Sequence, residues 1–231
     1  MRAIVPDAFL RASSGWEGVV PYCYLDVLGL VTVAIGNLVD PIESVLGLAF
    51  VRPDGTLATR SEIAAEWTKV KSLFCGMKGA ETSTSRCPWR AEGRSCLAHQ
   101  GHLAARAVTR LRLTEAGVRA VFGRRFGANE ATLRARYAAW DSWPADAQLA
   151  THSMAWAVGP AFHVKFARLH AALVAGDFAS AANECKMQEA GNPGIVPRNR
   201  ANRVLYRNAA AVATSGGTLN PDVLYLSLIH I

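Results

Sequence analysis

The chain has 231 residues, 51% hydrophobic and 19% charged, with a formal net charge of +7. That is an ordinary globular composition, long enough for a core in one domain or in two packed lobes. No apolar run approaches the roughly 20 residues of a transmembrane helix, which argues against stable membrane insertion.

The basic balance favours polyanionic partners such as nucleic acid, anionic lipid or an anionic cell wall. The arginines are scattered, however, and there is no stacked aromatic stripe or recognition motif for nucleic acid, so no nucleic-acid partner is expected. The first residues, MRAIVPDAFL, do not look like a secretory signal.

Residues 6–17 read as a short amphipathic helix with Pro6 in its first turn and Phe9, Ser13 and Trp16 on one face. Residues 22–58 read as β. Tyr22, Tyr24 and Asp26 alternate with Cys23 and Leu25, Gly29 marks a turn, and Val31–Ile35 is β-branched. Residues 50–57 read as a further hairpin turning at Asp54-Gly55, while 40–49 could be loop or helical turn. Ile63, Trp67, Val70 and Phe74 predict a helix behind Thr59.

Residues 75–101, rich in Gly, Ser, Thr and Cys, read as an insertion or long loop. Helices are then predicted from Thr114 to about Phe126, over 129–140, from Pro144 to Val158, over 161–175, over 177–189 and over 198–213. All β signal is early and most of the chain is helical. The expected fold class is α+β, with a small β lobe over about 20–60 and a larger helical lobe over 102–213, in one bilobed domain spanning 1–225. Residues 226–231 resemble a translated sequencing adapter and read as a non-native tail.

Glu17, then Asp26 nine residues on, then Thr32 six further, sit across a helix end and a β-hairpin. Breaking a glycosidic bond needs a proton for the leaving oxygen and a second carboxylate across the bond, with room for water when the reaction inverts. Glu17, beside Trp16 and an apolar core, would be kept protonated by desolvation. A Thr hydroxyl both donates and accepts, so Thr32 could hold a water against Asp26. Spacing alone makes this a weak signal.

Glu17-Gly18, Tyr24, Asp26, Gly29, Thr32, Gly36 and Leu38 resemble the Glu–Asp–Thr signature of the phage T4 lysozyme family, glycoside hydrolase family 24, with its pesticin-like relatives. Ser153–Gly159, Gly176-Asp177-Phe178 with Ala181-Ala182, and Pro197–Arg203 are similar to later segments of that family. The resemblance covers roughly 10–60 and 110–213. It implies a lysozyme-like fold with the active-site cleft between the lobes. It also implies cleavage of the β-1,4 bond between N-acetylmuramic acid and N-acetylglucosamine in bacterial peptidoglycan.

By the same resemblance Glu17 is the general acid, and Asp26 and Thr32 position the attacking water. Gly36, Leu38 and Trp156 fall on the substrate-binding side, although Trp156 reads equally well as a core residue. Arg200 supports Glu17, and Tyr24 belongs to the signature. No cofactor or metal is implied, and a monomer is expected. Without a signal peptide the protein would be made in the cytoplasm and reach the cell wall by holin, secretion system or lysis. Two positions depart from the family pattern: Ala34 stands where glycine is usual and Asn37 where a structural histidine is usual. A lysozyme-fold module that has lost catalysis, or a lytic transglycosylase, is the alternative reading.

Five cysteines, an odd number, argue against a disulfide framework, and Cys23 and Cys185 read as small buried residues. Cys75, Cys87, Cys96, His99 and His102 could be zinc ligands, disulfide partners after export, or unbonded. His152, His163 and His170 read as ordinary core or surface histidines, although His163 and His170 share a face.

Overall fold

The computed structural model describes residues 1–75, 96–191 and 194–225, and the side chain of Glu17 is outside that description. Cys87, most of the 75–101 insertion and the 226–231 tail therefore lie outside the described residues. The fold is mixed α+β, as expected. The chain forms two compact units, Gly18–Gly123 and Met1–Glu17 with Arg124–Ile231.

The unit from Gly18 to Gly123 carries the strands. β1 (Val20–Leu25), β2 (Val31–Ala34) and β3 (Asn37–Leu38) form an antiparallel sheet in that order. A second pair joins β4 (Phe50–Val51) to β5 (Arg112–Leu113), with Phe50 opposite Leu113. Residues 42–44 form a single 3₁₀ turn, which settles the ambiguous stretch.

The expected 50–57 hairpin is present as an antiparallel Val51–Leu57 bridge, flanked by bonds from the Arg52 amide to the Thr56 carbonyl at 2.8 Å and from the Ala58 amide to the Phe50 carbonyl at 2.9 Å. Phe50 also pairs, on its other side, with Leu113 from much later in the chain. Residues 102–123, expected in the helical lobe, thus belong with the strands.

Helix α2 (Arg60–Ser72) starts at a capping box, in which Thr59 and Glu62 satisfy each other's backbone amides. Helix α3 (His102–Val108) packs against β1 and was not read from the sequence. The core of this unit gathers Val31, Val33, Leu25 and Cys23 from the sheet, Ile63 and Val70 from α2, Leu97 from the end of the insertion and Ala105 from α3.

α4 (Glu115–Arg136) runs unbroken through the point where the sequence suggested two helices. Val118, Phe122, Phe126, Asn129 and Leu133 are all buried, so one stripe at helical spacing continues across Gly127 with no proline to stop it. The two units divide within this helix.

In the second unit, α1 (Val5–Glu17) packs on α5 (Ala145–Val158), which also packs on α8 (Ile195–Thr214). Every residue of α5 from Ala145 to Trp156 is buried, so it is the central helix of this unit. Gly159, at φ 89°, ends it where predicted.

The predicted 161–175 helix is broken. A 3₁₀ turn covers Phe162–Val164, Phe166 leaves helical geometry at φ −118° and ψ 57°, and α6 covers Ala167–Ala175. α7 (Phe178–Glu184) stops short of 189. The backbone of Met187 is claimed by Asn199, whose amide nitrogen donates to the Met187 carbonyl at 2.8 Å and whose oxygen accepts from its N–H at 2.9 Å. That pairing holds the segment extended against α8.

Candidate active site

The β1–β2 turn is built around Asp26. Its Oδ1 accepts from the amides of Leu28 (2.8 Å) and Leu30 (2.9 Å), and its own amide donates to the Leu30 carbonyl at 3.0 Å. This is the local side-chain-to-backbone bonding that makes aspartate a turn residue. Among the described residues, the second carboxylate oxygen has no hydrogen-bond partner. Gly29 adopts φ 76°, and a Cβ there would meet the Phe74 ring at 2.3 Å. Glycine is required twice over: for the backbone and for the ring beneath it.

Strand register then decides which side chains share a face. Tyr24 pairs with Thr32, and Thr32 pairs with Leu38, so these three form one row across the sheet. The Asp26–Leu30 bond extends the β1–β2 ladder, and side chains alternate along a strand. Asp26 therefore projects from the same face as Tyr24 and Thr32, as a diagonal neighbour of Thr32 at roughly 7–8 Å between backbone positions.

Thr32 is 4% exposed and its Oγ1–H donates to the Leu30 carbonyl at 3.2 Å, leaving its oxygen lone pairs as acceptors. Leu38 is 52% exposed at the open end of the row. Tyr24 meets the His102 ring edge-on at 6.1 Å, and the Tyr22 hydroxyl lies 3.2 Å from His102 Nδ1.

Gly36, at φ 65°, sits in the tight β2–β3 turn. Ala34, at φ 54°, adopts the left-handed backbone that favours glycine. Asn37 is buried; its Oδ1 accepts from the Ile35 amide at 3.2 Å and its Nδ2 donates to the Val121 carbonyl at 3.3 Å. It pins the turn to α4, which is a structural role.

Two residues the sequence reading passed over also brace this hairpin. Lys71 pairs with Asp40 at 2.5 Å and donates to the Gly29 carbonyl at 2.9 Å, while Asp40 accepts from the Val31 amide at 3.3 Å. A β-strand edge and a helix end meet through them. No spacing rule points to a pair thirty-one residues apart.

Glu17 closes α1, with two residues between it and the start of β1. Its neighbour Trp16 is half-buried, and the guanidinium of Arg198 lies 5.0 Å from the Trp16 ring centroid. Arg198 is 1% exposed and its Nη1 donates to the Ser153 carbonyl at 3.2 Å. Arg200, the expected support for Glu17, is exposed. The arginine that the fold buries beside the end of α1 is Arg198, because α8 begins at Ile195 and turns position 198 toward α1 and α5.

Trp156 is corrected to a core side chain. It is 3% exposed, packed 5.2 Å from Phe9, with the Arg125 guanidinium 4.1 Å from its ring centroid and Arg125 Nη2 donating to its carbonyl at 2.7 Å.

Cys23, Cys96 and Cys185 are free and buried. Burial pushes the Cys23 thiol up to about 12, with a smaller contribution from the Glu66 carboxylate. Such thiols are inert packing groups. Cys75 is disulfide-bonded, and its amide donates to Cys96 Sγ at 3.0 Å. Among the described residues, no three of His, Cys, Asp and Glu are grouped to hold a metal ion.

Of the predicted site residues, register thus places Tyr24, Asp26, Thr32 and Leu38 on one sheet face, with Gly36 in the adjoining turn. Compared with known proteins, the chain matches no family model and no curated protein.

Proposed function

We propose that this chain is a lysozyme-type muramidase with a lysozyme-like α+β architecture. It would hydrolyse the β-1,4 bond between N-acetylmuramic acid and N-acetylglucosamine in peptidoglycan, with inversion. The observation that carries the reading is the sheet face on which Asp26, Thr32, Tyr24 and Leu38 project together.

An inverting glycosidase sets its base about 6.5–9.5 Å from its acid so that water fits between them. On this reading Glu17 protonates the leaving oxygen. The Asp26 oxygen that does not serve the turn takes a proton from the attacking water. Thr32, whose own proton is committed to Leu30, accepts the water's second hydrogen. Arg198 takes the supporting role first given to Arg200. Leu38 offers an apolar edge to a sugar ring.

The net charge of +7 suits an anionic wall. Among the described residues, no helix is long and apolar enough to cross a membrane. Wall access through a holin, a secretion apparatus or lysis is part of the same proposal. The protein would act as a monomer.

Mass analysis of muropeptides released by the wild type, Glu17→Gln and Asp26→Asn tests it. Reducing-end muramic acid made only by the wild type is the expected result. Anhydro-muropeptides would make it a lytic transglycosylase. Equal clearing of a wall suspension by Glu17→Gln and wild type would sink the muramidase reading, and binding without any clearing would leave a wall-binding module.

A further inference from the structure

Far along the chain from the candidate catalytic residues, the helical unit brings two imidazoles together. His163 lies in the 3₁₀ turn at Phe162–Val164 and His170 in α6. Their ring centroids are 5.4 Å apart and their planes inclined at 62°. Two imidazoles on one tetrahedral ion have a definite separation. Each Zn–N bond is about 2.0–2.1 Å, each ring centre lies about 1.1 Å beyond the nitrogen, and an angle near 109° puts the centres about 5.2 Å apart. A right-angled pair would bring them to about 4.5 Å by the same geometry. The observed 5.4 Å leaves room for one tetrahedral ion shared by the two rings.

Each ring also has the surroundings of a ligand. His170 Nδ1 lies 3.3 Å from the Tyr137 hydroxyl. When Nδ1–H donates to that oxygen, the tautomer is fixed and the Nε2 lone pair is left for an ion, the outer-shell arrangement usual for metal-bound histidine. Tyr137 itself is buried, so it holds the ring in place. His163 Nδ1 is buried with no hydrogen-bond partner among the described residues, while the residue as a whole is half-exposed.

Coordination requires neutral imidazole. Burial, then the Arg136 guanidinium, then His170 hold His163 below its ordinary value. The same Arg136 opposes a cation, which keeps the affinity modest.

We infer that His163 and His170 form a bis-imidazole site for a divalent transition metal of the zinc class, oriented by Tyr137, with water completing the tetrahedron. It is independent of the muramidase reading.

The test is calorimetric titration of zinc chloride into the chelator-treated full chain. One saturable zinc per chain is expected, weakened at least tenfold in His163→Gln and in His170→Gln, and about tenfold in Tyr137→Phe, as outer-shell changes do. On the wild type, zinc should shift the ring-proton resonances of His163 and His170 together, and the melting temperature should rise and return on adding chelator. No saturable binding would overturn the site. So would binding that survives both histidine variants, or that is lost instead in His99→Gln or His102→Gln.

Discussion

Arg198 lies 5.0 Å from the ring centroid of Trp16, with its guanidinium almost wholly withdrawn from water. A desolvated cation over an indole face is worth about 2 kcal/mol, and a charged hydrogen bond such as that to Ser153 about 1.5–3 kcal/mol. Arg198→Ala should therefore destabilise the fold by about 3 kcal/mol, read from urea unfolding midpoints. Arg198→Lys keeps the charge and loses the planar stack, so it should fall between. Arg200→Ala, at an exposed position, should change stability by less than about 0.5 kcal/mol. Equal losses at 198 and 200 would contradict the assignment of the buried cation.

Asp26 serves the turn through one oxygen and has a second to spare, so its two roles can be separated. Asp26→Asn keeps Oδ1 as an acceptor for the Leu28 and Leu30 amides and should cost less than about 1 kcal/mol. Asp26→Ala strips both amides of their partner and should cost about 2 kcal/mol. Both variants should lose muropeptide release, because neither retains a base. An Asp26→Asn variant that clears walls at the wild-type rate would assign Asp26 to the turn alone.

Gly29 and Gly55 make a controlled comparison. Both have positive φ, 76° and 84°, but a Cβ at Gly29 meets the Phe74 ring at 2.3 Å while nothing lies within 4 Å at Gly55. Gly55→Ala should cost about 1 kcal/mol, the backbone term alone. Gly29→Ala must also displace a ring from the core edge and should cost at least about 3 kcal/mol. Similar midpoints for the two variants would mean that the ring yields freely.

The same residues show where the sequence was legible. Val31–Ala34 and the turn at Gly29 were read because alternation and glycine act locally. The row Tyr24–Thr32–Leu38 needed only the hairpin register that this turn imposes. What escaped was set at long range. Phe50 pairs with Leu113, Asn199 holds Met187 out of a helix, and Asp40 pairs with Lys71; none leaves a periodic trace. Arg198 and Arg200 differ by two positions and face different surroundings, and only the start of α8 at Ile195, three residues earlier than expected, decides which one is buried.

Two buried groups on α5 titrate in opposite senses, which predicts a flat stretch in stability against pH. His152 stacks on Phe126 at 4.0 Å, with neither ring nitrogen bonded among the described residues, and burial lowers it from 6.5 to about 3. Between those values the unfolded chain binds a proton that the folded chain refuses, so stability rises with pH by up to about 1.4 kcal/mol per unit. Burial raises Asp146 from 3.8 to about 6, partly offset by hydrogen bonds from Asn208 and the Tyr225 amide. Here the folded chain keeps a proton that the unfolded chain releases, so stability falls as pH climbs through the same window. From about pH 4 to pH 6 the two slopes oppose each other and nearly cancel. His152→Phe keeps the ring stack and removes the rising slope, so its unfolding free energy should decrease from pH 4 to pH 6. Asp146→Asn removes the falling slope, so its free energy should increase over the same range. Urea unfolding at pH 4, 5 and 6 measures both. Parallel profiles for the wild type and His152→Phe would show that His152 takes up its proton without unfolding the helix around it.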